Sequence, residues 1–153
     1  MPGSLQAFLA KGIQKTAEDL EAAYLRLPED KRRWSPQGDA RTAADMVAEC
    51  ALLHGTTPDI VRDRAFPKDM DMGAYHKAKD ALAADPDLLG KLKESTAKAV
   101  GAAKSVPDSD LDIEIAAPWG SLTIAQALAY PYWNACYHEG QINYIASMLG
   151  CLD

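Results

Sequence analysis

Near the C-terminus, Tyr132-Trp133-Asn134-Ala135-Cys136-Tyr137-His138-Glu139-Gly140-Gln141-Ile142 sets polar, ligand-capable groups into an otherwise apolar stretch. Asn134 and His138 are four residues apart and Gln141 lies three further on. At about 3.6 residues per turn these three stack on one face of a helix. A polar stripe in apolar company either joins a buried hydrogen-bond network or surrounds a ligand or a metal. A second candidate is Glu49, among Val47, Ala48, Cys50, Ala51, Leu52 and Leu53. A carboxylate buried there needs a partner, and the bland alternative is a solvated residue on the helix surface. For His138 the bland alternative is a core imidazole held by Glu49 or a backbone carbonyl. Gln141 reads as support for the histidine rather than as a ligand. No serine-histidine-acid order, phosphate loop or dinucleotide fingerprint is present, and His138-Glu139 runs on as Gly-Gln-Ile rather than as a zinc-protease motif.

The elements that must position these groups are helical almost throughout. Leu5, Phe8, Leu9, Ile13, Ala17, Leu20 and Tyr24 recur at helical spacing from about Ser4 to Leu27, where Pro28 ends the helix. A polar connection follows to Ala40, with Trp34 either anchoring onto the core or walling a site. A second helix starts near Thr42 in a capping-box-like Thr42-Ala43-Ala44-Asp45. At Gly55-Thr56-Thr57-Pro58 it either restarts with Thr57 as cap or continues with a kink. Residues 67–73 read as loop, 74–84 as helix, and Asp85-Pro86 opens a helix from Pro86 to about Ser105. Residues 107–120 are extended; Leu111, Ile113 and Ile115 alternate with acidic residues, but no partner strand is evident. The last helix starts near Ser121 or Thr123 and runs to about Leu149, with Gly150 as its stop. Pro131 should kink it just before Asn134 and free a carbonyl, that of Ala127. Trp133 and Tyr137 read as core, His76 as solvated, and Gly140 as permitting close helix approach. The expected fold class is all-α, a four-helix bundle with long crossover loops, as a single domain over 1–153.

Bulk properties exclude several functions. The 153 residues are 48% hydrophobic and 25% charged, enough for one packed core. A net charge of -6 with scattered Lys and Arg argues against a nucleic-acid partner. No apolar run approaches the roughly 20 residues that span a bilayer. Met1-Pro2-Gly3-Ser4 lacks the start of a signal peptide. Cys50, Cys136 and Cys151, odd in number and without CxxC spacing, imply reduced thiols in a cytoplasmic protein, with Cys50 and Cys136 as small core residues.

The sequence resembles the DinB-like superfamily, which includes damage-inducible proteins and bacillithiol- or mycothiol-dependent S-transferases. The resemblance rests on Arg41-Thr42-Ala43-Ala44-Asp45-Met46-Val47-Ala48-Glu49, on Pro118-Trp119-Gly120 with Leu122-Thr123, and on Tyr137-His138-Glu139-Gly140-Gln141. It implies a four-helix bundle, usually a homodimer, with a metal held by one histidine of the second helix and an H-x-x-x-H pair of the last. Here His138 matches the second histidine of that pair, Asn134 occupies the first position, and Glu49 occupies the second-helix position. The implied metal set is thus Glu49, Asn134 and His138, with Gln141 beside it and His54 as the weaker alternative, about 140° round the helix from Glu49. Three imidazoles suit zinc or nickel, whereas a carboxylate, an amide and one imidazole are a harder, weaker set that suits loosely held Mn²⁺ or Mg²⁺, Zn²⁺ with help from another residue, or no ion. Two functions are expected: a metal-dependent enzyme that activates a low-molecular-weight thiol, or a non-catalytic, stress-related or ligand-binding dimeric bundle whose metal site has become a polar network.

Overall fold

A computed structural model describes residues 4–67 and 70–153. Five helices, α1 Leu5–Arg26, α2 Ala43–Asp63, α3 Met72–Ala83, α4 Leu88–Ser105 and α5 Ile124–Met148, accompany one hairpin of β1 Glu114–Ala117 and β2 Gly120–Thr123. The bundle is made by α1, α2, α4 and α5. Helix α1 packs on α4 and α5, and α2 packs on the same two, so α1 and α2 sit diagonally. The fold is all-α apart from the hairpin, as the sequence led one to expect.

Two apolar clusters fill the bundle. One holds Leu20, Leu27, Val47, Leu92 and Ile142; the other holds Leu9, Ile13, Ile60, Ala99 and Leu128. Between them along each helix fall buried polar residues: Thr16 on α1, His54 and Thr57 on α2, Ser95 and Thr96 on α4, Asn134 on α5. The order of the clusters along each helix also gives direction. Helices α1 and α5 run one way, α2 and α4 the other. The chain must therefore travel back along the bundle between α2 and α4, and α3, packed on α2, makes that return.

Local chemistry explains the boundaries. Thr42 caps α2 by accepting from the Asp45 amide at 3.1 Å, but Asp45 does not reach back to complete a capping box; its carboxylate pairs with Arg41 and Lys79. Helix α2 continues through Pro58 without a restart: Thr57 lies inside it and donates its hydroxyl to the Leu53 carbonyl at 3.0 Å. Helix α4 begins two residues later than Asp85-Pro86 suggested, because Asp85 Oδ1 accepts from the Asp87 amide at 2.8 Å and holds that segment in a turn. The loop expected over 67–73 is shortened by the start of α3 at Met72, and 68–69 lie outside the described residues, as do 1–3. The strand expected around Ile115 does find a partner, in residues assigned from sequence to the start of the last helix. Ile115 pairs Leu122 and Ala117 pairs Gly120 across Pro118-Trp119, with Gly120 at φ +143 where a side chain would be strained. Thr123 then caps α5 in a full capping box with Gln126. Pro131 does not end α5, and the carbonyl in this turn that a side chain reaches is that of Pro131 itself. Trp34 packs against the core as an anchor.

Candidate functional site

The three residues implied as a metal set do come together, between α2 and α5. Glu49 Oε1 accepts from His138 Nε2 at 3.0 Å and from Asn134 Nδ2 at 3.2 Å. Its other oxygen, Oε2, takes Arg41 Nη1 at 2.7 Å. The rear of the imidazole is held by Gln141, whose amide lies 2.7 Å from His138 Nδ1. That amide can present either its oxygen or its NH₂, so the ring is satisfied with one proton or two. Asn134 is fixed from behind by the Cys50 thiol, which donates to its Oδ1 at 3.2 Å. His138 is 2% exposed and the Glu49 side chain 23%.

The electrostatics follow from these contacts. Burial pushes the Glu49 carboxyl up, but the His138 hydrogen bond, the Arg41 charge and the Asn134 hydrogen bond outweigh it and hold it down at about 2. Arg41 also pairs with Asp45, and Lys79 of α3 reaches the far oxygen of Asp45 at 2.8 Å. Burial raises the Cys50 thiol, so it serves as a neutral donor rather than a thiolate.

His54 belongs elsewhere. It is fully buried, its Nδ1 is 2.9 Å from Thr96 Oγ1 of α4, and its Nε2 faces the Pro131 carbonyl of α5 at 3.4 Å. Donation from Nε2 to that carbonyl leaves Nδ1 to accept from the Thr96 hydroxyl, a neutral ring with both nitrogens used. Burial accordingly lowers its pKa to about 4. It points into the bundle core, away from the Glu49 set.

A pocket of about 280 Å³ opens beside the network. Glu49 and Asn134 form its polar end, Leu53 and Ile60 of α2 its floor, and Phe66, Tyr75, Trp119 and Tyr130 its aromatic walls. The hairpin carries Trp119 onto Phe66 at 5.4 Å edge to face and onto Tyr130 at 6.1 Å stacked. Sequence reasoning missed Arg41, Tyr75 and Lys79 as site residues. A signal existed: Arg41, Asp45 and Glu49 are spaced four apart, as are Tyr75 and Lys79. Three other readings are corrected. Trp133, Tyr137 and Cys136 are exposed rather than core, because that face of α5 turns away from the bundle. A side chain at Gly140 would meet nothing within 4 Å, so no close approach within the chain requires that glycine.

No protein-family model matches the sequence, and no curated protein matches it. Solved structures do match. YfiT from Bacillus subtilis, described as a probable metal-dependent hydrolase with an unusual four-helix bundle topology, aligns over 95% of this chain and 87% of its own, with TM-score 0.79 and 16% identity. A DinB-like protein, YjoA, also from Bacillus subtilis, aligns over 93% of this chain and 92% of its own, with TM-score 0.69 and 14% identity. The fold is DinB-like. At these identities the likeness covers the DinB-like backbone arrangement and not the chemistry of the site.

Whether the residues of this DinB-like bundle fit a metal is decided by their donor atoms. His138 Nε2 is spent on Glu49, Asn134 turns its NH₂ towards Glu49 and its oxygen towards Cys50, and both Glu49 oxygens hold cationic or polar hydrogens. Arg41 puts a fixed positive charge where a dication would need the carboxylate. Among the described residues no group of three or more His, Cys, Asp or Glu side chains is arranged to hold an ion. The arrangement does not fit a divalent metal; it fits a closed polar network.

Proposed function

We propose that this chain is a non-catalytic, small-molecule-binding bundle in which a hydrogen-bonded ion-pair network stands where the sequence resemblance implies a metal. The observation that carries the reading is the engagement of both Glu49 oxygens: Arg41 on one, His138 and Asn134 on the other. A carboxylate so engaged has its charge already neutralised, and an ion would have to break the network to bind. The adjoining pocket supplies the space for a ligand. Protein purified without an affinity tag is expected to carry only substoichiometric metal, and Zn²⁺, Ni²⁺ or Mn²⁺ should leave its melting temperature unchanged. Stoichiometric metal by elemental analysis, lost in His138→Ala, would overturn the reading.

The competing reading is metal-assisted chemistry, either hydrolysis or transfer to a low-molecular-weight thiol. It draws support from the description of YfiT and from the meeting of Glu49, Asn134 and His138. It requires an ion to displace Arg41 from Glu49 and His138 from the same carboxylate, which the metal analysis above tests directly. Three free cysteines suit a reducing, cytoplasmic setting, and among the described residues no helix is long and apolar enough to cross a membrane.

A homodimer belongs to the same proposal. Helix α5 carries one Asp, Glu, Lys or Arg, Glu139, and its outward face presents Trp133, Tyr137 and Tyr144 at 57%, 54% and 69% exposure, with Met148 beyond. This stripe is nearly symmetric about Gly140, so two antiparallel copies would set Tyr137 against Tyr144 and Trp133 against Met148. At about 150–250 Å² per aromatic side chain, the stripe offers close to half of the ~800 Å² per partner in a standard interface. A second copy is the occupant this self-complementary, uncharged face suits. Light scattering should report a dimer at micromolar concentration and a monomer for Trp133→Glu/Tyr144→Glu with unchanged helicity. A monomeric parent protein would sink this part.

A further inference from the structure

The pocket beside Glu49 has a chemistry of its own, and we infer that it binds an uncharged one- or two-ring aromatic molecule bearing a hydrogen-bond donor, such as a phenol or an indole. The inference rests on the reading above that Glu49 is not a metal ligand. Size comes first: about 280 Å³ lies at the lower edge of the roughly 300–1,000 Å³ of small-molecule pockets, which limits the occupant to one or two rings. Shape comes second. The walls are rings, Phe66, Trp119, Tyr130 and Tyr75, over the aliphatic floor of Leu53 and Ile60, and a flat apolar body stacks on such surfaces.

Polarity comes third. The carboxylate and the amide of the lining, Glu49 and Asn134, sit together at one end, and the Thr56 hydroxyl elsewhere in the lining is given to the Leu53 carbonyl at 3.0 Å. A carboxylate offers about four acceptor sites. Glu49 uses three, for His138, Asn134 and Arg41, and one on Oε2 remains. Asn134 has a second N–H beyond the one given to Glu49, and Tyr75 lines the same pocket. A ligand donor on Glu49, with its heteroatom or π face towards Tyr75 or Asn134, satisfies these groups together.

Charge decides the rest. A ligand carboxylate would find no Lys or Arg lining the pocket among the described residues, and Arg41 itself is engaged by Glu49 and Asp45, so the anion would lose its hydration unpaired. A ligand ammonium would meet a carboxylate that Arg41 at 2.7 Å already offsets, and so would lose its hydration with little Coulombic return. The neutral donor is the species that loses least on entry.

The test is a panel of indole, phenol, benzoate and benzylamine, titrated against the full chain by calorimetry and ligand-observed NMR, with metal content measured on the same preparation. Indole and phenol should bind, benzoate and benzylamine at least tenfold more weakly. Leu53→Trp, which fills the floor, and Trp119→Ala, which removes an exposed wall outside the network, should each weaken indole at least tenfold while circular dichroism stays unchanged. Metal-free protein that binds neither indole nor phenol, or binds the charged analogues equally well, overturns the ligand class and leaves the network reading standing. Stoichiometric metal overturns the network reading itself.

Discussion

Glu49→Ala is expected to lower the stability of the folded chain by about 3–4 kcal/mol, the largest single loss available at this site. The carboxylate is the common acceptor for Arg41 Nη1, His138 Nε2 and Asn134 Nδ2. Removing it leaves the imidazole N–H and the amide N–H unpaired inside the bundle, where His138 is almost fully buried. An unsatisfied buried donor costs about 1–3 kcal/mol. The guanidinium loses less, because the Arg41 side chain is 32% exposed and water can take over. For a chain of this length the loss should appear as a fall in melting temperature on the order of 10 °C. Glu49→Gln should cost less than half as much, because one amide oxygen can still accept from both His138 and Asn134 while the contact with Arg41 is lost. Replacing both partners by apolar residues, Glu49→Leu/His138→Leu, should cost less than the sum of the single changes, because neither then leaves the other unpaired. Chemical denaturation of the parent, Glu49→Ala, Glu49→Gln, the two single leucine variants and the double leucine variant measures this. A Glu49→Ala protein that melts with the parent would mean that the carboxylate is solvated and that no network exists.

The sequence made the DinB-like frame legible because that frame is set by local signals. Helical spacing in α1, the Thr42 and Thr123 caps and the Gly150 stop all act within one or two turns. Asn134, His138 and Gln141 were legible for the same reason: their common face follows from spacing alone. What was not legible depends on contacts between elements. Arg41 became a site residue only when the crossover before α2 brought it over Glu49, and Tyr75 and Trp119 only when α3 and the hairpin folded across the pocket. The hairpin itself was missed because β2 reads as a helix start, and only the pairing of Ile115 with Leu122 reveals it. Trp133 and Tyr137 were misread as core because hydrophobicity gives a helix no preferred side when every side is apolar; packing of α5 on α1 and α2 supplies it. The choice between a metal centre and a polar network lay beyond the sequence for a similar reason. It turns on whether Arg41 occupies Glu49, an interaction between residues eight apart across a helix cap.

Acid should destabilise this protein in two separable stages, and the first is the second large effect. His54 takes a proton at about its ordinary 6.5 in the unfolded chain but not until about 4 when folded, because burial penalises the charged ring. Between those values the unfolded state binds a proton that the native state does not, so stability falls as pH drops from 6.5 towards 4. A displacement of this size corresponds to roughly 3 kcal/mol once pH lies below both values. The groups hydrogen-bonded to the ring are Thr96 from α4 and the Pro131 carbonyl from α5, neither of which titrates. Glu49 acts in a lower window. Its folded pKa is depressed to about 2 from 4.5, so its contribution is complete above 4.5 and is lost as pH falls through 2. The test is unfolding free energy against pH for the parent and for His54→Gln, whose amide can still accept from Thr96 and donate to Pro131 without titrating. The variant should lose the slope between pH 6.5 and 4 and keep the slope below 4.5. If both proteins show the same slope across the upper window, His54 is protonated in the fold and the neutral mid-bundle contact between α2, α4 and α5 is wrong. If the slope vanishes as expected, the bundle carries a histidine kept neutral by burial at its centre and, at its pocket, a glutamate kept ionised by the His138 hydrogen bond, the Arg41 charge and the Asn134 hydrogen bond.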